Sequence, residues 1–169
     1  ICFHLVFREH GFSYPINRLR NIALDQVSTE FVFLVDVDFL PSYNMYEQLK
    51  TAIRELSSSV GAQELGKRAL VVPAFESPQY RFEFPTSKSE LVKQLNLGWV
   101  SMFREQIWPR GHAPTDYVRW KLSTREYRVD WRPDYEPFVV LNSNVARFDE
   151  SFVGFGWNKV EHNMQLAAS

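Results

Sequence analysis

The sequence predicts an α/β domain built in layers, with a mostly parallel central sheet flanked by helices. Three observations lead there. Two apolar runs, FVFLVDVDF at 31–39 and ALVVPAF at 69–75, are too continuous for half-exposed strands and suit strands covered on both faces. Around them lie segments whose apolar residues recur every three or four positions, the spacing of a helix with one buried face. The two patterns alternate along the chain, as crossover connections between parallel strands require.

The first strand candidate is CFHLVF at 2–7, followed by a loop with Gly and Pro, REHGFSYP. INRLRNIALDQV at 16–27 reads as a helix with Ile16, Leu19, Ile22, Ala23 and Val27 on its apolar face. The run at 31–39 is the central strand, and Pro41 stops it. SYNMYEQLKTAIRELSS begins a second helix with Ser42 as N-cap and with Met45, Leu49, Ile53 and Leu56 in one stripe. SSSVGAQELGKR at 57–68 reads as a solvated loop, and ALVVPAF as a second buried strand. SKSELVKQLNLG at 87–98 carries Ser87 with Glu90 three residues on, a capping box, and Gly98 as helix stop. After Trp99 the chain turns irregular and aromatic-rich, with YRVDW at 127–131 and PFVVL at 137–141 as further strand candidates.

With 169 residues, 45% hydrophobic and 15% aromatic, the chain suits one globular domain over 1–169 and not a disordered segment. A net charge of -1 without long runs of lysine or arginine argues against a nucleic-acid tract and a polybasic membrane patch. Cys2 is the sole cysteine, which excludes an intrachain disulfide and a zinc cluster of cysteines. The chain opens on what reads as a strand already under way and stops inside the apparent helix HNMQLAAS, so it reads as a fragment of a longer protein, incomplete at both ends.

Asp36 and Asp38 stand inside the most apolar stretch, TEFVFLVDVDFLPSY. Buried carboxylates are costly unless paired, hydrogen-bonded or metal-bound. On a strand, residues two apart share a face, so the two aspartates would point together while Val35, Val37 and Phe39 pack the other side. Their Cα atoms would lie about 6 to 7 Å apart on an ideal strand, and a bend at the carboxyl end would let them share one ion. Ligands of open α/β sheets bind beyond those ends. Two carboxylates with open positions suit a hard cation, Mn²⁺ or Mg²⁺, shared with substrate phosphates. The alternatives are that the pair caps a turn or meets arginines.

Beyond that motif the chain resembles the glycosyltransferases of family 49. That group holds the second catalytic domain of LARGE-type xylosyl- and glucuronyltransferases and a β-1,4-glucuronyltransferase acting on the same glycan of dystroglycan. The resemblance rests on YPINRLRNIA (14–23), VFLVDVDFLP (32–41), ALVVPAFE (69–76), FPTSKSEL (84–91), GHAPTDYVRW (111–120), YRVDW and YEPFVVL (127–141), and FVGFGWNKVEH (152–162). It implies a glycosyltransferase-A, Rossmann-like fold that binds a UDP-sugar donor and a divalent metal and inverts the sugar carbon. Asp36 and Asp38 match the family's Asp-x-Asp motif, bridging Mn²⁺ and the diphosphate. By similarity Asn17, Arg20 and Asn21 lie near the nucleotide. Gly156, Trp157, Asn158 and Lys159, in GFGWNK, would meet the sugar or acceptor, with Trp157 as stacking surface. For the base that deprotonates the acceptor hydroxyl the nearby carboxylates are Glu136 and Asp149, with Glu136 preferred because it begins a strand bordering the site.

The resemblance further implies a glycan or glycoprotein acceptor of the O-mannosyl, matriglycan type and glucuronic acid as the transferred sugar. A uronate needs a cationic partner, for which Arg110, Arg125, Arg128, Arg132 and Lys159 are candidates. It implies a Golgi lumenal domain of a type II membrane protein, and a further metal ligand, a histidine, past residue 169. Gln165 departs from the family pattern, where a glutamate is expected. His4, His10, His112 and His162 are scattered and read as packed or surface residues. A silent sugar-binding relative and a metal-dependent nucleotidyltransferase are the competing readings.

Overall fold

The computed structural model describes residues 5–7, 13–79, 81 and 83–168. Its elements, in chain order, are α1 (Ile16–Asp25), β1 (Phe31–Phe33), α2 (Met45–Val60), α3 (Ala62–Leu65), β2 (Leu70–Val72), β3 (Phe75–Glu76), α4 (Lys88–Asn96), β4 (Ser101–Met102), α5 (Tyr117–Leu122), β5 (Phe138–Asn142) and α6 (Asn158–Ala168), with two 3₁₀ turns at Pro109–Gly111 and Ala113–Thr115. Cys2 and most of the first strand candidate fall outside the described residues; Leu5, Val6 and Phe7 carry no strand and are exposed.

The sheet corrects the expectation of parallel pairing. Its order is β1-β5-β2, and β5 runs antiparallel to both neighbours, with Val32 opposite Leu141 and Val71 opposite Val139. Because β1 and β2 both oppose β5, they share one direction, as a helical crossover through α2 demands. The slot between them is filled by PFVVL, a strand from more than sixty residues further along the chain that arrives in the opposite sense. β5 is accordingly the covered strand, with Phe138, Val140 and Leu141 buried, while β1 and β2 are half-buried. A second, two-stranded antiparallel sheet joins β3 to β4.

FVFLVDVDF is a strand only over its first three residues. The chain then leaves the ladder and turns, with the Phe39 amide donating to the Asp36 carbonyl at 3.1 Å. Val35 is 43% and Val37 105% exposed, so of the expected packing face only Phe39 turns inward, with its ring 4.6 Å from that of Phe138 and 4.9 Å from that of Phe103. YRVDW is likewise no strand: 127–131 runs irregularly.

The helices depart from their periodicity in informative ways. α1 buries Asn17, Asn21 and Leu24, while Ile16, Leu19, Ile22 and Val27 are half-buried and Ala23 is exposed. The expected stripe of α2 exists but is only half-covered, and Asn44, with φ 57°, stands at its N-cap in place of Ser42, whose carbonyl receives the Met45 amide. The region 57–68 is not a loop. α2 continues to Val60, Gly61 interrupts it, and α3 buries Leu65 at 1% exposure.

α4 behaves as its sequence implies. The Ser87 hydroxyl accepts from the Glu90 amide at 3.2 Å, and the Glu90 carboxylate accepts from the Thr86 amide at 2.8 Å. At the other end Gly98 takes φ +71°, which lets the Trp99 amide reach the Gln94 carbonyl and the Gly98 amide that of Leu95, a Schellman closure. Ser87→Ala is expected to destabilise the fold by about 1 kcal/mol, read as a shifted denaturant midpoint with unchanged slope.

Candidate active site

Polar residues on α1 and α6 converge where the chain leaves β1. α6 starts after a tight loop in which Gly154 (φ +78°), Gly156 (φ +97°) and Trp157 (φ +58°) are all left-handed. Gly156 holds that conformation without strain, and Trp157 adopts it with its carbonyl accepting from the Glu161 amide at 2.8 Å and the residue 60% exposed. The loop directs Asn158 and Lys159 back toward α1 and β1. The Arg20 guanidinium donates to Asn158 Oδ1 at 2.7 Å and to Asn17 Oδ1 at 3.0 Å, and lies 3.9 Å from Asp36 Oδ1. Lys159 Nζ donates to Asp36 Oδ2 at 2.6 Å and lies 4.5 Å above the Phe138 ring.

The two asparagines of α1 explain its polar buried face. Asn17, fully buried, donates to the Asp149 carbonyl at 2.7 Å, and Asn21 exchanges hydrogen bonds with the backbone of Phe148, 2.9 Å each way. They tie the segment after β5 to α1, and this tie sets the position from which the chain enters α6. Buried amides are tolerable because both ends find partners.

Burial holds the Arg20 guanidinium below its ordinary value, opposed by the Asp36 and Glu136 charges. Glu136, half-buried at the head of β5, has its carboxyl raised by burial; the Lys159 charge pulls it back down and the Asp36 charge pushes it up. Thus Asp36, Glu136, Arg20 and Lys159 share one electrostatic cluster. His112 sits behind it, 5% exposed, its ring 5.0 Å from that of Phe103 and stacked toward that of Phe138 at 6.3 Å.

Burial, with Lys159 and Arg104 nearby, holds His112 down to about 4, so it is neutral at physiological pH. Its folded value lies below the unfolded one. The resulting stability is full above about pH 6.5 and is lost as pH falls toward about 4, by up to about 3 kcal/mol, because the unfolded chain binds the proton first. A melting series from pH 7 to pH 4.5 is expected to show a shallower decline in His112→Phe than in the parent sequence.

Each remaining candidate has a definite place. Asp38 lies exposed on the turn after β1, two residues past Asp36, and does not share the ion pairs that hold Asp36. Asp149 is exposed, and hydrogen bonding from Ser151, through its side chain and then its amide at 2.8 Å, holds the carboxylate below its usual value. Arg110, Arg125, Arg128 and Arg132 are exposed, and of the proposed cationic partners Lys159 alone joins the cluster. Gln165, exposed on α6, donates to Glu161. His162 is packed, stacked on Phe148 at 3.8 Å, while His4 and His10 lie outside the described residues. His112 and Phe138 carry no signal of a role at the site in the sequence; GHAPTDYVRW and YEPF are legible as blocks, but their contact, the Glu136 amide donating to the Gly111 carbonyl at 2.8 Å, is long-range.

Beside the cluster opens an apolar cleft of about 470 Å³. It lies past the ends of β1 and β2, with Phe33, Phe39, Val72 and Phe75 on the sheet side, Met45 and Leu49 of α2 and Leu91 of α4 opposite, and Phe138 shared with the ion cluster. Among the described residues no three His, Cys, Asp or Glu side chains gather as a closed metal site. Asp36 and Asp38 carry oxygen donors of the kind a hard cation takes, but Asp36 is held by Lys159 and Arg20, while Asp38 stands exposed on the turn two residues on. Among the described residues no helix is long and apolar enough to cross a membrane.

Comparison with known proteins agrees with the sequence resemblance. The family model described as glycosyl-transferase for dystroglycan matches residues 5–169. The chain is 49% identical over 170 residues to the xylosyl- and glucuronyltransferase LARGE2s of Gallus gallus, covering 99% of this chain and 22% of that protein. It is 51% identical over 168 residues to LARGE2 of Homo sapiens, covering 99% and 23%, and 48% identical over 168 residues to LARGE1 of Danio rerio, covering 98% and 21%. The chain thus spans between a fifth and a quarter of the length of these curated relatives.

Proposed function

The chain belongs to the family of glycosyl-transferases for dystroglycan, and from that premise we propose that it carries a glycosyltransferase-A catalytic domain moving glucuronic acid from UDP-glucuronic acid to a matriglycan-type acceptor. The observation that carries this reading is the meeting of Asp36, at the carboxyl end of β1, with Arg20, Lys159 and Glu136 beside an open cleft. The names of the relatives, xylosyl- and glucuronyltransferases, support the donor class. By the same family reasoning the domain works in the Golgi lumen as part of a type II membrane protein.

In this reading Asp36 and Asp38 hold Mn²⁺ or Mg²⁺. The ion, when bound, offsets the charge that develops on the departing diphosphate. Arg20 and Lys159 add positive charge on the same side. Glu136 accepts the proton of the acceptor hydroxyl as that oxygen bonds to the anomeric carbon; the bond from that carbon to the diphosphate oxygen breaks, and UDP leaves with the electron pair. Burial suits Glu136 to this role, because a carboxylate of raised pKa is a stronger base than the exposed, hydrogen-bonded Asp149. Trp157 offers its exposed ring to a sugar face.

The test is transfer by the full-length protein, with UDP-glucuronic acid, UDP-xylose and UDP-N-acetylglucosamine offered separately, with and without Mn²⁺. Metal-dependent turnover of UDP-glucuronic acid that is lost in Glu136→Gln is the expected result. Preferential use of another UDP-sugar would overturn the donor, and turnover of a nucleoside triphosphate with no UDP-sugar accepted would overturn the reaction class.

A further inference from the structure

We propose that Lys159 is a built-in counter-ion that occupies the cation's place on Asp36, so that loading the site exchanges an ammonium for a metal. This rests on the reading of Asp36 and Asp38 as metal ligands.

The pair is short and sheltered. Lys159 Nζ lies 2.6 Å from Asp36 Oδ2, and the lysine side chain is 20% exposed against 43% for the aspartate. Asp36 Oδ1 faces Arg20 at 3.9 Å, a guanidinium already committed to Asn17 and Asn158. Lys159 is less committed by comparison. Among the described residues its ammonium has one carboxylate partner within 4 Å, it lies over the Phe138 ring, and the nearby Glu136 carboxyl offers a second place for its charge. A divalent ion that takes the place on Oδ2 now held by the ammonium displaces it, since two cations at that distance repel each other. The loop that presents Lys159 holds three left-handed residues, Gly154, Gly156 and Trp157, which fixes the start of α6 and brings the ammonium to β1 from the far end of the chain.

Two consequences follow. Without metal, the aspartate is neutralised in place, so the site does not depend on a cation to stay folded. With metal, affinity is lowered by the competition, and the released ammonium is left beside the ligand phosphates.

The experiment is calorimetric titration of Mn²⁺ alone into the full-length protein and into Asp38→Ala, Lys159→Gln and Lys159→Arg, the site being defined as the binding that Asp38→Ala removes. Lys159→Gln is expected to tighten that site about fivefold or more, the scale of a partly exposed ion pair, while Lys159→Arg stays near the parent value. If the site exists but Lys159→Gln binds Mn²⁺ equally or more weakly, the exchange is wrong and the metal reading stands. The exchange is also wrong if Lys159→Arg tightens the site as much as Lys159→Gln does. If Asp38→Ala removes no binding, the metal reading fails and takes the exchange with it. Thermal melts with and without Mn²⁺ give a second readout: Mn²⁺ is expected to raise the melting temperature of Lys159→Gln by more than that of the parent.

Discussion

If Asp38 is the metal ligand proposed above, Asp38→Ala is expected to lower sugar transfer by at least about a hundredfold while leaving the fold intact, since a direct metal ligand contributes several kcal/mol to charge stabilisation. The two halves of that expectation have separate origins. Asp38 lies exposed on the turn after β1, so its removal opens no cavity and strands no buried partner. Its carboxylate is nonetheless two residues from Asp36, on a turn whose flanking residues Val35 and Phe39 line the cleft. Steady-state turnover at saturating UDP-glucuronic acid, set beside an unchanged denaturant midpoint, checks both halves. Asp36→Ala is a poorer probe, because it also releases Lys159 and Arg20 from their shared anion. Near-parental turnover by Asp38→Ala would remove this residue from the metal site.

Phe138→Ala is expected to cost about 3 to 5 kcal/mol of stability, the range for truncating a buried aromatic ring. Phe138 is 4% exposed on the central strand β5, and four side chains lean on it: Phe39 at 4.6 Å, Phe103 at 5.9 Å, His112 at 6.3 Å and the Lys159 ammonium at 4.5 Å. Phe39 and Phe103 also pack on each other, and Phe103 on His112, so a cavity term is added to the lost burial. A denaturant midpoint well below that of the parent is the expected result, while a loss under about 1 kcal/mol would mean that the cluster repacks around the gap. Because Lys159 rests on this ring, the variant is also expected to weaken substrate affinity where folded protein remains.

Local chemistry was legible in the chain wherever the partners are near neighbours. Ser87, Glu90 and Gly98 announce both ends of α4 because capping and Schellman closure join residues three to five apart. PFVVL declared itself a strand, and the stripe Met45, Leu49, Ile53 and Leu56 declared a helix, because side-chain periodicity follows backbone geometry. The blocks that resemble the glycosyltransferase family pointed to Asp36, Arg20, Asn158 and Lys159 one at a time, and family membership followed from them.

Apolar periodicity misled where burial was chosen by distant partners. α1 turns its asparagines inward because backbone groups at Phe148 and Asp149, more than 120 residues away, needed donors and an acceptor. FVFLVDVDF reads as a long covered strand, yet it leaves the ladder after Phe33; among the described residues its pairing partner is β5, and past that pairing the chain turns so that Asp36 meets Lys159. The antiparallel sheet has the same origin. Alternating strands and helices give β1 and β2 a common direction, but which strand fills the gap between them depends on a loop closed over much of the chain. Hydrogen bonds and ion pairs do not depend on separation along the chain once packing brings their ends together, and so the pairing of Asp36 with Lys159 came from the folded whole.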